Sequence, residues 1–196
     1  MNQSTLQHEY DETSFLVDPS SYDTLGFCES YPLRRHTYES QANNGAHEAR
    51  MDWIKYIGPI SEFGNCNPYD GNFTSLVLPF TKPERLRLCA YIHEYAFLYD
   101  NVLESVKEAE LDANSEGLVL SGSSGEGEPR DKSAVVGAKQ MQSKIILELL
   151  EMDKPCAERT LEAWKTMVRT TNERKGAIWG SIEDYLEFRI VDTGAP

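Results

Sequence analysis

The residues in this chain best suited to chemistry are Asp100, Asn101 and Glu104, in the run LRLCAYIHEYAFLYDNVLE from Leu86 to Glu104. If the run is helical, two carboxylates four residues apart stand on one face, one turn apart, with Asn101 beside them. Acidic groups closing an apolar helix cost free energy unless a cation compensates them. Hard divalent cations take carboxylate and amide oxygens, and magnesium typically uses one or two carboxylates and completes its shell with water and phosphate oxygens of a ligand. Phe97 and Ala96 lie one turn below Asp100, so a greasy wall would underlie such a metal. That arrangement suits a ligand with a hydrocarbon tail and a diphosphate head. By itself the D-x-x-x-E spacing is common, and an ordinary solvated helix end is the simpler explanation of it.

The elements that must hold these residues read as helices. Thr81-Lys82-Pro83-Glu84 suits a helix start, with Thr81 as cap, Pro83 in the first turn and Glu84 reaching back. The central helix is expected to run to about Val106. Before it, Ala49, Trp53 and Ile57 recur at helical spacing from Ala46 to Ile57, and Gly58-Pro59 ends that helix. Residues 58–83 read as an irregular connection in which Phe73, Leu76, Val77, Leu78 and Phe80 form a short buried helix or a packed loop. Leu33-Arg34-Arg35-His36 falls in a loop-like segment, its arginines suited to surface ion pairs. Residues 1–20 are expected to be a disordered tail and 107–132, rich in Gly, Ser and Glu, a flexible loop.

Helical periodicity returns at Ser133. Ala138, Met141, Ile145, Leu149 and Met152 form one stripe, and Asp153-Lys154-Pro155 breaks it. A second helix carries Leu161, Trp164 and Val168 inward. Ser181-Ile182-Glu183-Asp184 has capping-box spacing and starts a last helix through Tyr185, Leu186, Phe188 and Ile190. No alternating strand pattern stands out, so the fold class is all-α.

Composition limits the partners. A net charge of −13 over 196 residues argues against nucleic acid or an anionic membrane surface. It leaves room for an anionic small molecule, because a bound metal ion inverts the local sign. Cys28, Cys66, Cys89 and Cys156 are scattered, without metal-finger or C-x-x-C spacing, which fits reduced thiols in a cytoplasmic protein. The first residues carry no secretory pattern, and no apolar run reaches membrane-spanning length.

Several pieces occur in a telling order: LRRH at 33–36, W-x-x-x-x-G-P from Trp53 to Pro59, and the apolar helix ending in YDNVLE. KQMQSKIILELLEMD, AWKTMVR and finally YLEFRIVD follow. Together they resemble the N-terminal cyclase domain of fungal chimeric terpene synthases, of the ophiobolin F synthase and fusicoccadiene synthase type. The resemblance covers about residues 20–196. It implies the N-terminal portion of a class I terpenoid synthase helical bundle, a partial cyclase domain over 21–196.

The resemblance also implies roles. Asp100, Asn101 and Glu104 match the aspartate-rich metal motif, with Asp100 and Glu104 as magnesium ligands and Asn101 where an aspartate is commoner. Arg189 matches the arginine that senses the diphosphate, a task suited to the planar guanidinium. The substrate would be geranylgeranyl or geranylfarnesyl diphosphate. Magnesium and arginine would neutralise the departing diphosphate, leaving an allylic cation in a dry pocket. Phe97 and Tyr95 are the aromatic candidates to face that cation, with core packing as the alternative. Two further expectations concern extent. A second metal motif of the Asn-Asp-x-x-Ser-x-x-x-Glu kind is expected beyond Arg189 and is not in this sequence, nor is the family's prenyltransferase domain. The chain is therefore expected to be an incomplete, inactive piece. The rival readings are a trans-prenyltransferase and a non-catalytic helical interaction protein.

Overall fold

The computed structural model describes residues 12–27, 29–60, 71–105, 132–173 and 178–192, with the side chains of 100–105, 132–135, 168, 171–173 and 192 outside that description. The expected loop at 107–132 lies outside the described residues, apart from Lys132. The chain forms two compact units, Met1–Val102 and Leu103–Pro196, and each is described by itself.

The first unit is built on two long helices, α1 (Glu39–Tyr56) and α3 (Pro83–Ser105). Their contacts climb in step: Glu48 meets Arg87 in a 2.6 Å ion pair, the Tyr91 hydroxyl donates to Asp52 at 2.9 Å, and Trp53 packs on Tyr95 at 6.1 Å between rings. Position rises on both helices together, so α1 and α3 run parallel. Ala42, Leu86 and Ala90 are buried at their seam. Gly45 lets the backbones touch: a Cβ there would stand 2.9 Å from the carbonyl carbon of Arg87 and 3.1 Å from the amide nitrogen of Tyr91. This explains why α1 starts seven residues before the expected Ala46. Glu39-Ser-Gln-Ala-Asn-Asn-Gly45 is a poor helix former, and packing rather than propensity sets it.

Parallel helices need a return segment, and the short helix α2 (Phe73–Val77) lies within it. Asn72 caps α2, accepting from the Thr74 amide at 3.0 Å, while its own amide group donates to Asn43 Oδ1 at 3.0 Å. Asn72, Thr74 and Ser75 are fully buried, so the capping side chain also ties α2 to α1.

One feature departs from the all-helical pattern. Strands β1 (Ser14–Leu16) and β2 (Arg34–His36) pair antiparallel, with Ser14 opposite His36. The LRRH segment is thus a strand and not a loop, and residues 14–16 of the expected tail are its partner; residues 1–11 lie outside the described residues. Three-residue strands are too short to show a period of two. His36 anchors the ribbon. Its amide donates to Ser75 Oγ at 3.2 Å, Nδ1 accepts from the Tyr38 amide at 3.0 Å, and Nε2 donates to the Thr81 carbonyl at 2.7 Å. Those partners fix the tautomer with the proton on Nε2. Thr81 sits two residues before α3 begins at Pro83, and its backbone carbonyl is the acceptor for His36. Despite the ribbon, the described residues are overwhelmingly helical, and the fold is all-α.

In the second unit, α4 (Lys132–Glu173) is broken at Asp153, whose backbone is extended, φ −161° and ψ 88°. The Asp153 carboxylate accepts from the Cys156 amide at 3.1 Å and so caps the segment that follows, with Pro155 in its first turn, where a missing N–H costs nothing. Met141, Ile145 and Ala157 are buried along α4, while Met152 at the end of the expected stripe is 37% exposed. Helix α5 (Ile182–Asp192) packs on α4. Ser181 Oγ caps it, accepting from the Asp184 amide at 3.1 Å, and Trp179 stacks on Phe188 at 4.9 Å. No helix among the described residues is long and apolar enough to cross a membrane.

Candidate functional site

Helix α3 continues unbroken past the acidic residues to Ser105, so Asp100 and Glu104 are four residues apart in one helix, as the spacing requires. Their side chains and that of Asn101 lie outside the described ones. What the structure does describe is the helical face leading up to them. Counting about 100° per residue, His93, Phe97, Asp100, Asn101 and Glu104 fall within a wedge of roughly 100°. Tyr95 points the opposite way. It is fully buried between Trp53 at 6.1 Å and Tyr99 at 6.0 Å, the core packing given above as the alternative for this ring.

Phe97 stays on the acidic face and has company there. Its ring meets Phe73 edge-on at 5.0 Å and 80°, and His93 lies 6.5 Å from it. Phe73 and His93 are themselves 5.4 Å apart at 76°. Thr74 Oγ1 closes the group with a 2.9 Å hydrogen bond to His93 Nδ1. Burial pushes the His93 imidazole below the usual histidine range, because the charged form loses hydration there. An apolar, ring-lined patch therefore precedes the acidic end of α3. Phe73 is visible in the sequence as one apolar residue of the connection; nothing in local pattern distinguishes His93 from any other polar residue of a long helix.

The arginines divide. Arg35 pairs with Glu39 at 3.5 Å, both side chains half-buried and the Arg35 Nε itself shielded from solvent, so the expected ion pair forms but not at an open surface. Arg34 donates through Nε to Ser14 Oγ at 2.8 Å and lies 5.8 Å over the Phe80 ring, so it joins the ribbon to the chain entering α3. Arg189 belongs to the second unit, exposed in the last turn of α5, where a cation complements the helix dipole. No cluster of three metal-ligating side chains occurs among the described residues. The donor set at the end of α3, two carboxylates and an amide, is of the hard-oxygen type that magnesium takes.

Comparison with known proteins gives this arrangement a context. The chain is 47% identical over 187 residues to variediene synthase of Aspergillus brasiliensis, covering 95% of this chain and 26% of that protein. The chain is a homologue of fungal terpene synthases. A terpene cyclase of Stachybotrys chlorohalonatus is 35% identical over 201 residues, 94% of this chain and 51% of its own length. Fusicoccadiene synthase of Phomopsis amygdali is 31% identical over 196 residues, 96% of this chain and 27% of its own length. No family model matches. The chain thus spans about a quarter to a half of the terpene synthases it resembles. Its likeness to them runs through both units, since at least 91% of the chain is aligned in each relative.

Proposed function

We propose that the chain is part of a class I terpene cyclase that ionises a C20 or C25 prenyl diphosphate with magnesium held by Asp100 and Glu104. The observation that carries this reading is the 47% identity to variediene synthase across 95% of the chain. The unbroken helix beneath the acidic residues supports it, because the same face offers apolar rings one turn below the proposed metal ligands. In this reading Asp100 is the principal ligand, Glu104 a second carboxylate, and Asn101 a neutral amide donor beside them. Arg189 contributes a bidentate guanidinium to the diphosphate. When bound, magnesium supplies neutralisation of the leaving diphosphate. The protein's part is to orient the allylic carbon over Phe97 and to keep water from it, so that the positive charge is not quenched.

Calorimetric titration of the chain with inorganic pyrophosphate, with and without magnesium, tests the proposal. Binding that requires magnesium and weakens at least roughly tenfold in Asp100→Ala is the expected result, a loss of about 1.4 kcal/mol or more. Binding indifferent to magnesium, or to the loss of Asp100, would overturn it.

A further inference from the structure

His93 is the titratable group on the acidic face of α3 that the metal chemistry leaves without a task. It lies seven residues before Asp100, about 10 Å down the helix, where hydrocarbon rather than diphosphate would reach. Its two nitrogens differ. Nδ1 lies 2.9 Å from Thr74 Oγ1, and Thr74 is fully buried, so that contact is kept from water. Nε2 has no hydrogen-bond partner among the described residues, and the ring is half-buried rather than sealed. The wedge it shares offers few other proton acceptors. Phe97 carries no basic atom, the Asn101 amide is scarcely basic, and the carboxylates of Asp100 and Glu104 are assigned to the metal. Burial keeps the imidazole below the usual histidine range, so it is neutral, and able to take a proton, at pH 7.

We propose that His93 is a catalytic base that ends the reaction, its Nε2 taking a proton from the carbon beside the cationic centre. This rests on the site reading given under Proposed function. In the step that C–H bond breaks, its electron pair becomes the second bond of an alkene, and the proton forms an N–H bond at Nε2. A carbocation and a neutral imidazole thus become an uncharged hydrocarbon and an imidazolium. Thr74 is the positioning residue. Its oxygen accepts from Nδ1–H, which leaves the lone pair on Nε2, and it goes on accepting once the ring is charged. The low basicity is no obstacle, because a carbocation is a far stronger acid than an imidazolium. It also favours release, since an imidazolium poorly hydrated beside Phe73 and Phe97 gives up its proton readily.

Multiple-bond proton–nitrogen NMR spectra of the isotope-labelled chain read the tautomer, with His93 assigned by the signals lost in His93→Asn. The expected result is a protonated Nδ1 and a bare Nε2. Thr74→Ser, which keeps the oxygen, should preserve that state, and Thr74→Val should lose it. A merely structural Thr74 would leave the tautomer alone. A predominant Nε2–H form in the parent overturns the proposal. The second measurement is carbethoxylation of His93 by diethyl pyrocarbonate, followed by mass spectrometry. With magnesium, geranylgeranyl diphosphate at about ten times its Kd should slow that reaction roughly tenfold. Inorganic pyrophosphate at the same saturation should change it less than about twofold, because only the hydrocarbon reaches His93. Equal rates with and without geranylgeranyl diphosphate, while magnesium-dependent pyrophosphate binding stands, overturn the role of His93 and leave the site standing. Absence of that pyrophosphate binding in the parent overturns the site, and the role of His93 with it.

Discussion

Gly45 of α1 rests directly on the main chain of Arg87 in α3, so that a Cβ at position 45 would press into the Arg87 carbonyl group. Both sides of that contact are helix backbone, and neither can swing aside as the tip of a side chain could. Gly45→Ala is therefore expected to destabilise the chain even though alanine is the better helix former. The gain in helix propensity is about 1 kcal/mol, whereas overpacking a tight helix seam costs about 1–3 kcal/mol, here at the upper end. A lower denaturation midpoint at unchanged denaturant slope is the result to look for; an unchanged or higher midpoint would mean that the helices separate freely at this point.

Asn72 offers a second measure of how α2 is held. Its side chain caps the helix and bonds to Asn43 while fully buried. Asn72→Ala loses the cap and the bond to half-buried Asn43, at a cost of about 2 kcal/mol. Asn72→Asp keeps the capping oxygen but cannot donate to Asn43, so it should recover only part of that loss. Urea unfolding of the three proteins ranks them directly.

His93 makes stability depend on pH in a defined direction. Burial lowers its native pKa below the ordinary value of 6.5, so the unfolded chain takes up this proton at a higher pH than the native one. The native state is favoured fully above about pH 6.5, and the advantage is lost as pH falls through the lowered native value. Carboxylates titrate over part of the same range, so the informative quantity is a difference. Between pH 7 and pH 5 the melting temperature should fall further in the parent than in His93→Asn, and parallel curves would contradict this.

Arg189 separates a diphosphate contact from a helix-surface charge. Lysine at 189 keeps the charge and the favourable end of the helix dipole but loses the planar two-pronged donor. Arg189→Lys should therefore leave thermal stability within about 0.5 kcal/mol and weaken magnesium-dependent pyrophosphate binding roughly tenfold. Equal pyrophosphate affinity in the two proteins would return Arg189 to the role of a surface charge.

Much of this was legible in the residues. Pro83 marks where α3 starts, Asp153-Lys154-Pro155 marks where α4 breaks, and Ser181 caps α5, because caps and prolines act within a few residues of themselves. Less visible were features made by distant partners. The first two turns of α1 exist because Gly45 fits against α3, and the Arg34–His36 strand exists because Ser14–Leu16 lies beside it. At the site, the order of acidic residues along α3 could be read directly, as could the apolar character of Phe73 and Phe97. What covers Tyr95 could not: helical spacing sets it opposite the acidic face, but its partner Trp53 comes from another helix.

The parallel run of α1 and α3 has a consequence for how the chain acquires its shape. Glu48 and Arg87, and likewise Asp52 and Tyr91, are 39 residues apart, and His36 reaches 45 residues ahead to Thr81. Antiparallel neighbours joined by a short loop can zip from their turn, but these two helices cannot. The loop between them must close before any rung of their contact forms, and its entropy is spent before packing repays it. The first unit, though built of helices, thus has the search problem of a sheet protein. Its refolding should be limited by the arrival of α3 on α1 rather than by helix formation, which takes microseconds or less.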